Sequence, residues 1–291
     1  MLETGDVIGI CAPSGSFDRE LFEKGLAVIS KMGFDPVVPG DIYQKKRYLA
    51  GSDKLRARII NDLFLDKNIH GIMCARGGYG AVRVLKLLDW EIIQNNPKVF
   101  IGFSDVTALL ANFSYFPHMK AVHGPNITSL ANAGQQTKDS IYEFLTAGST
   151  GLKIEAPVVI NKGKCTGKLL GGNLATLNHL VGTEYQVDFK DCIFFLEDVG
   201  EPPYKIDRML TQMKMAGCFY GIKGVAAGSF ENCTNLGMIE DIIGEIFGEY
   251  DIPVIAGIES GHGPVNLPLP MGVDAELLTD DAEIRWDLTH F

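Results

Sequence analysis

The chain has 291 residues, 46% of them apolar and 21% charged, so it can bury a substantial core as one large domain or two of ordinary size. Its 26 Lys and Arg stand against 36 Asp and Glu, a net charge of −10 that repels phosphate backbones and anionic lipid surfaces. Nucleic-acid and membrane partners are therefore not expected. No apolar run approaches the roughly 20 residues of a membrane span, and the opening MLETGDVIGICAP has no basic start followed by a long apolar stretch, so a cytoplasmic location is expected.

In chain order, short apolar runs alternate with amphipathic stretches: DVIGICAP then 18–32, IHGIMCA then 79–93, KVFIGF then 105–116. This rhythm predicts βαβ units and a parallel sheet. Ser52 followed by DKLRARIINDLFL puts Leu55, Ile59, Ile60 and Leu63 on one face of a helix with Ser52 as its N-cap. Extended MKAVHGP closes this half. The looser GSTGLKIEAPVVINKGKCTG has the composition of a crossing between domains. We therefore expect an N-terminal α/β domain over 1–147, a linking segment over 148–166, and a smaller mixed α/β domain over 167–291. The last of these holds CIFFLEDVG, helical PYKIDRMLTQMKMAG, IKGVAAGSF, helical NLGMIEDIIGEIFGEY and IPVIAGIESGHG.

The residues with chemical promise fall at the ends of these runs. In KVFIGFSDVTALLANF a strand runs into a helical pattern at Ser104, a position that exposes a hydroxyl beside free helix N-terminal N–H groups. The arrangement resembles a nucleophile elbow, although Val106 stands where G-x-S-x-G has its second glycine. Equally, Ser104 is what an ordinary helix N-cap would be. His262, flanked by Gly261 and Gly263 after the apolar IPVIA, is held by backbone and can titrate as a general base, or it is a plain loop histidine. Glu197 ends the apolar run 192–196, where a carboxylate can fix a histidine tautomer, or where a surface residue can simply finish a strand.

Three glycines within four residues mark Arg76-Gly77-Gly78-Tyr79-Gly80, a loop able to turn N–H groups toward a ligand, with Arg76 suited to a substrate carboxylate; a tight turn is the plainer reading. Neither this loop nor Gly167-Lys168-Leu169-Leu170-Gly171-Gly172-Asn173 matches a dinucleotide or P-loop pattern. Cys74 has apolar neighbours that raise its pKa, so a core thiol is expected. His123 either positions substrate or anchors the turn into Pro125, and His179 sits at helical apolar spacing as an interior histidine. The six cysteines are widely spaced, no CxxC or HExxH occurs, and no metal or cofactor is expected.

Taken together, IGICAPSG, ARGGYGAVRVL, IGFSDVTALL, HGP at 123–125, GKLLGGNLATL, FLEDVGEPPYKIDRML and GIESGHGPVNLPLPMG resemble the serine LD-carboxypeptidases, a family that includes the microcin C immunity peptidases. The resemblance spans nearly the whole chain, in the family's order. It implies a two-domain fold with a flavodoxin-like or Rossmann-like first domain, Ser104 as nucleophile, His262 as base and Glu197 as its orienting acid. It also implies oxyanion N–H groups from Asp105 and a glycine of the RGGYG loop, taken as Gly78; Gly77 and Arg76 are expected, from the residues themselves, beside the substrate. A homodimer is implied, and so is a cytosolic murein tetrapeptide as substrate, its terminal D-alanine removed from the L-centre of the diamino acid. Microcin-immunity members instead cut peptidyl or aminoacyl adenylates and carry a longer aromatic-bearing loop. Here only Gly182-Thr183-Glu184-Tyr185-Gln186 follows the helix after GGN, with no Trp, which favours the carboxypeptidase. A non-catalytic muropeptide-binding module is the alternative from another class; it would tolerate Ser104→Ala.

Overall fold

The computed structural model describes residues 2–146 and 152–288. It divides into two compact units, Met1–Gly148 with Leu267–Leu269, and Ser149–Asn266 with Pro270–Phe291. Among the described residues each unit is built on one sheet, of six and eight strands.

In the first unit, β1 (Val7–Cys11), α1 (Arg19–Lys31), β2 (Asp35–Val37), α2 (Asp53–Leu65), β3 (Gly71–Cys74), α3 (Trp90–Asn95), β4 (Val99–Gly102), α4 (Thr107–Phe113), β5 (Lys120–His123), α5 (Ile127–Leu130) and α6 (Gln135–Thr146) follow one another. Strands β2, β1, β3, β4 and β5 lie side by side in that order, all parallel, which is why each central strand is apolar on both faces. A further strand, Leu269–Met271, borders β5 at the edge. Its one proline, Pro270, is tolerable because an edge strand needs only half its ladder hydrogen bonds. Asp18 and Ser52 cap α1 and α2 by accepting the N–H of Leu21 at 2.9 Å and of Leu55 at 3.2 Å. Phe64, Phe100 and Phe113 interlock in the core, with ring centroids 4.8 Å apart for the edge-on pair Phe100 and Phe113. Phe100→Ala is expected to lower unfolding free energy by about 3–5 kcal/mol, read from a urea titration.

The amphipathic stretch 79–93 does not form one helix. Two short 3₁₀ turns, Ala81–Arg83 and Leu85–Leu87, are followed by an extended Leu88, and Asp89 then restarts the chain as α3 by accepting the N–H of Ile92. A local cap thus overrides the periodicity.

In the second unit come β6 (Leu152–Glu155), β7 (Val158–Asn161), β8 (Lys164–Asn173), α7 (Leu174–Leu180), β9 (Cys192–Val199), α8 (Pro203–Met215), β10 (Gly224–Glu231), α9 (Leu236–Gly248), β11 (Val254–Ala256) and, after the Leu269–Met271 strand of the first sheet (β12), β13 (Asp274–Leu278) and β14 (Glu283–Trp286). The sheet order is β6-β14-β13-β8-β9-β10-β11-β7. The middle four strands, β8 to β11, are parallel and the flanking ones antiparallel. Residues 152–166, expected as part of a linking segment, instead supply both edge strands and the start of β8; 148–151 lie outside the described residues. Strand β6 pairs with β14 and β7 with β11, so this stretch is fixed by partners remote in sequence that no local pattern announces. No described helix is long and apolar enough to cross a membrane.

Candidate active site

At the carboxyl end of β4 the chain passes through an extended Phe103 and then places Ser104 at φ 66°, in the left-handed region. For a serine this conformation costs about 1–3 kcal/mol and persists only where its surroundings enforce it. The 3₁₀ turn Ser104–Val106 leads directly into α4, and no side chain caps its start, so Ser104 is not the helix cap that its sequence position also allowed. Gly77 presses against it from the end of β3. A Cβ on Gly77 would lie 2.7 Å from Ser104 Cβ and 2.9 Å from its Oγ, so only glycine lets the two loops approach.

The glycine loop is tied down on both sides. Asp105, buried behind Ser104, accepts the N–H of Ala81 at 2.7 Å. Burial pushes the Asp105 pKa up, with the Ala81 N–H among the contacts that oppose the rise. Arg56, fully buried in α2, donates to the Gly80 carbonyl at 2.9 Å, to the Pro13 carbonyl and to Asp53. Hydrogen bonds from Arg83 hold Asp53 down to about 2, with Arg56 adding to the effect against the opposing cost of burial. Gly78 sits at φ 103°, and the exposed Arg76 donates to the Ser16 carbonyl at 2.6 Å. Cys74 is fully buried, and desolvation followed by its contact with Cys11 raises its pKa well above the usual thiol value, which suits a core thiol and not a nucleophile. His123 is likewise fully buried, edge-on to Phe103.

The second unit brings Glu197 and His262 together. Glu197 ends the apolar part of β9 with 0% exposure, opposite Asn173 of β8, and so is no surface strand-end. Its Oε2 lies 2.7 Å from His262 Nδ1, and the histidine side chain is 17% exposed. Nδ1–H donates to the carboxylate, which leaves Nε2 as the basic nitrogen. Burial opposes protonation of His262, but the hydrogen bond and charge of Glu197, with Asp198 behind it, outweigh that and hold its pKa above 6.5. If the neutral imidazole is the working base, hydrolysis falls away as pH drops through this raised pKa, so the acid limb of kcat/KM is expected above pH 6.5. A rate profile from pH 5 to pH 9 checks it.

Asp198 points elsewhere. It accepts from Asn173 Nδ2 at 2.9 Å and from the N–H groups of Ala175 and Val199, and burial raises its pKa to about 6. Glu259 is exposed, and His179 lies exposed on α7 instead of inside, because the apolar face of that short helix is carried by Leu174, Leu177 and Leu180. No group of three or more His, Cys, Asp or Glu side chains among the described residues is placed to hold a metal ion. Ser229, Asn266, Arg56 and Asn173 were not singled out by sequence reasoning. The one signal available for Ser229 and Asn173 is that both lie toward the carboxyl ends of parallel strands, where α/β folds place their chemistry.

Ser104 at a strained strand-to-helix turn in the first unit and the buried Glu197–His262 pair in the second are residue types and local geometries that serine hydrolases use. Residues 8–124 match the LD-carboxypeptidase N-terminal domain and residues 166–277 the LD-carboxypeptidase C-terminal domain, and the chain belongs to this family. It is 37% identical to a putative carboxypeptidase of Synechocystis over 95% of this chain and 92% of that protein. It is 30% identical to the murein tetrapeptide carboxypeptidase of Pseudomonas aeruginosa over 96% and 94%. Among solved structures, an MccF-like protein from Bacillus anthracis superposes with a TM-score of 0.90 at 26% identity, covering 98% of this chain and 97% of that one.

Proposed function

We propose that this protein is a serine LD-carboxypeptidase that removes the terminal D-alanine from murein tetrapeptides. The observation that carries the reading is the Glu197–His262 pair at 2.7 Å, in a family whose relative in Pseudomonas aeruginosa is named for murein tetrapeptide. Ser104 Oγ attacks the scissile carbonyl while His262 Nε2 takes its proton. Glu197 holds the imidazole in the working tautomer and stabilises the imidazolium. The backbone N–H groups of Asp105 and Gly78 receive the developing oxyanion, with Gly77 beside them. His262 then returns the proton to the departing amine of D-alanine, and water hydrolyses the acyl-enzyme by the same steps in reverse order. Arg76 pairs with the terminal carboxylate of the substrate. Such a serine mechanism needs no metal, and we place the protein in the cytoplasm as a homodimer acting in murein peptide recycling.

The likeness to an MccF-like protein keeps a second reading in play, an amidase acting on peptidyl or aminoacyl adenylates. Incubating the protein with tetrapeptide, pentapeptide and an aminoacyl adenylate, with products identified by mass spectrometry, separates the two. Release of D-alanine from tetrapeptide, undiminished by a chelator and much slower for an L-alanine terminus, is the expected result. Cleavage of the adenylate alone would favour the second reading, and cleavage of none would favour a binding module.

A further inference from the structure

His262 belongs to a turn, not to a strand or helix, so its aim depends on what holds that turn. Two side chains do so. Ser229, near the end of β10, uses both capacities of its hydroxyl on the residues flanking His262: Oγ accepts the Gly263 N–H at 3.0 Å and donates to the Ser260 carbonyl at 3.2 Å. Its own backbone N–H reaches the same Ser260 carbonyl at 3.0 Å. On the other side Asn266, itself buried, accepts the Gly261 N–H at 3.0 Å. Thus the residue before His262 and the residue after it are each pinned by a side-chain oxygen.

The placement of Ser229 is itself unusual. Pairing of β10 with β9 is regular from Gly224 to Ala227 and resumes at Phe230 with a shifted register, so Ser229 lies within a β-bulge. Bulges re-aim side chains, and this one falls one strand away from Glu197. The space between is fully used: at Gly261, φ 119°, a Cβ would lie 2.6 Å from Glu197 Oε2 and 2.7 Å from Ser229 Oγ. Carboxylate, serine hydroxyl and the His262 turn therefore meet around one glycine.

We infer that Ser229, seconded by Asn266, is a positioning residue that fixes the His262 turn against Glu197 and so sets the aim of the base. The inference rests on the proposed role of His262. Without the Ser229 hydroxyl the Gly263 N–H and Ser260 carbonyl lose their tie, the turn gains freedom, and the short contact between imidazole and carboxylate loosens. Misplacement of a catalytic group by about 1 Å costs on the order of a hundred-fold in rate. A tie that served folding alone would change stability and leave the chemistry of the folded enzyme alone.

The test compares Ser229→Ala, Ser229→Thr and Asn266→Ala in the full chain with tetrapeptide as substrate, and with His262→Ala as control. Ser229→Ala is expected to lower kcat roughly ten- to hundred-fold with KM within about twofold. It should also move the acid limb of the rate profile down toward 6.5, since the contact with Glu197 is what raises the imidazole pKa. Ser229→Thr, which keeps the hydroxyl, should recover most of the turnover, and Asn266→Ala should reproduce the kcat deficit more mildly. Turnover of Ser229→Ala within about twofold of the parent, an unmoved acid limb, or a Thr variant no better than Ala would each overturn the inference. If Ser229→Ala does not fold, Asn266→Ala carries the test, and its unchanged turnover overturns the inference equally. His262→Ala separates the two levels: an active His262→Ala enzyme would sink the proposed mechanism, whereas an inactive one beside a normal Ser229→Ala would sink only the positioning role.

Discussion

Ser104→Ala is expected to lower turnover by about 10⁶, the loss seen when a triad loses its nucleophile, while binding of substrate persists. The companion variant Ser104→Gly should be equally inactive yet more stable than the parent by up to about 1 kcal/mol, because glycine occupies φ 66° without the strain a serine bears there. Part of that strain relief is offset by the greater freedom of glycine in the unfolded chain, which is why the gain is small. Turnover measurements paired with urea titrations of both variants check the two halves. A serine kept for structure would behave in the opposite way, costing stability when removed and sparing activity. A Ser104→Gly protein that is less stable than the parent would show that the left-handed turn is not a stored cost.

Glu197→Gln carries the second-largest expected effect, a loss of about 10⁴ in kcat, as in other triads stripped of their acid. Glutamine keeps the size and one acceptor of the carboxylate but removes the charge that stabilises the imidazolium, and its amide end can drive His262 into the wrong tautomer. The raised pKa of His262 should fall with it, because the hydrogen bond and charge of Glu197 are what overcome burial. In the double variant with Ser104→Ala the loss should be no greater than for Ser104→Ala alone, since residues acting as one unit are not additive. Additive losses, or near-normal turnover of a folded Glu197→Gln protein, would move the acid role elsewhere. Asp198 is a poor substitute, its oxygens being committed to Asn173, Ala175 and Val199.

Much of this is legible in the amino-acid sequence. Parallel strands buried on both faces read as unbroken apolar runs, so 98–103 and 192–196 stand out, as does the place of Ser104 just past the end of β4, whereas Glu197, read as a strand end, lies inside β9, which continues to Val199. What escaped notice depended on partners far along the chain. Residues 152–161 read as a crossing because their strand character lies in pairing with 254–256 and 283–286, and β13 and β14 were hidden in a charged carboxyl-terminal stretch. The stretch 79–93 had helical spacing, but the Asp89 cap broke it. Ser229 could not be read as part of the site, since its hydroxyl meets residues 31 and 34 positions away.

The strand Leu269–Met271, which completes the first sheet beside β5, has a consequence for synthesis on the ribosome. Translation at about 5–20 residues per second leaves an interval on the order of ten to thirty seconds between the making of β5 and the making of its neighbour. Through that interval a nascent first unit carries β5 as an open edge, a row of N–H and C=O groups ready to pair with any extended segment nearby. Leu269–Met271 is therefore expected to act as a closing clasp, and a chain truncated before Leu269 is expected to expose β5 and self-associate, which size-exclusion chromatography checks.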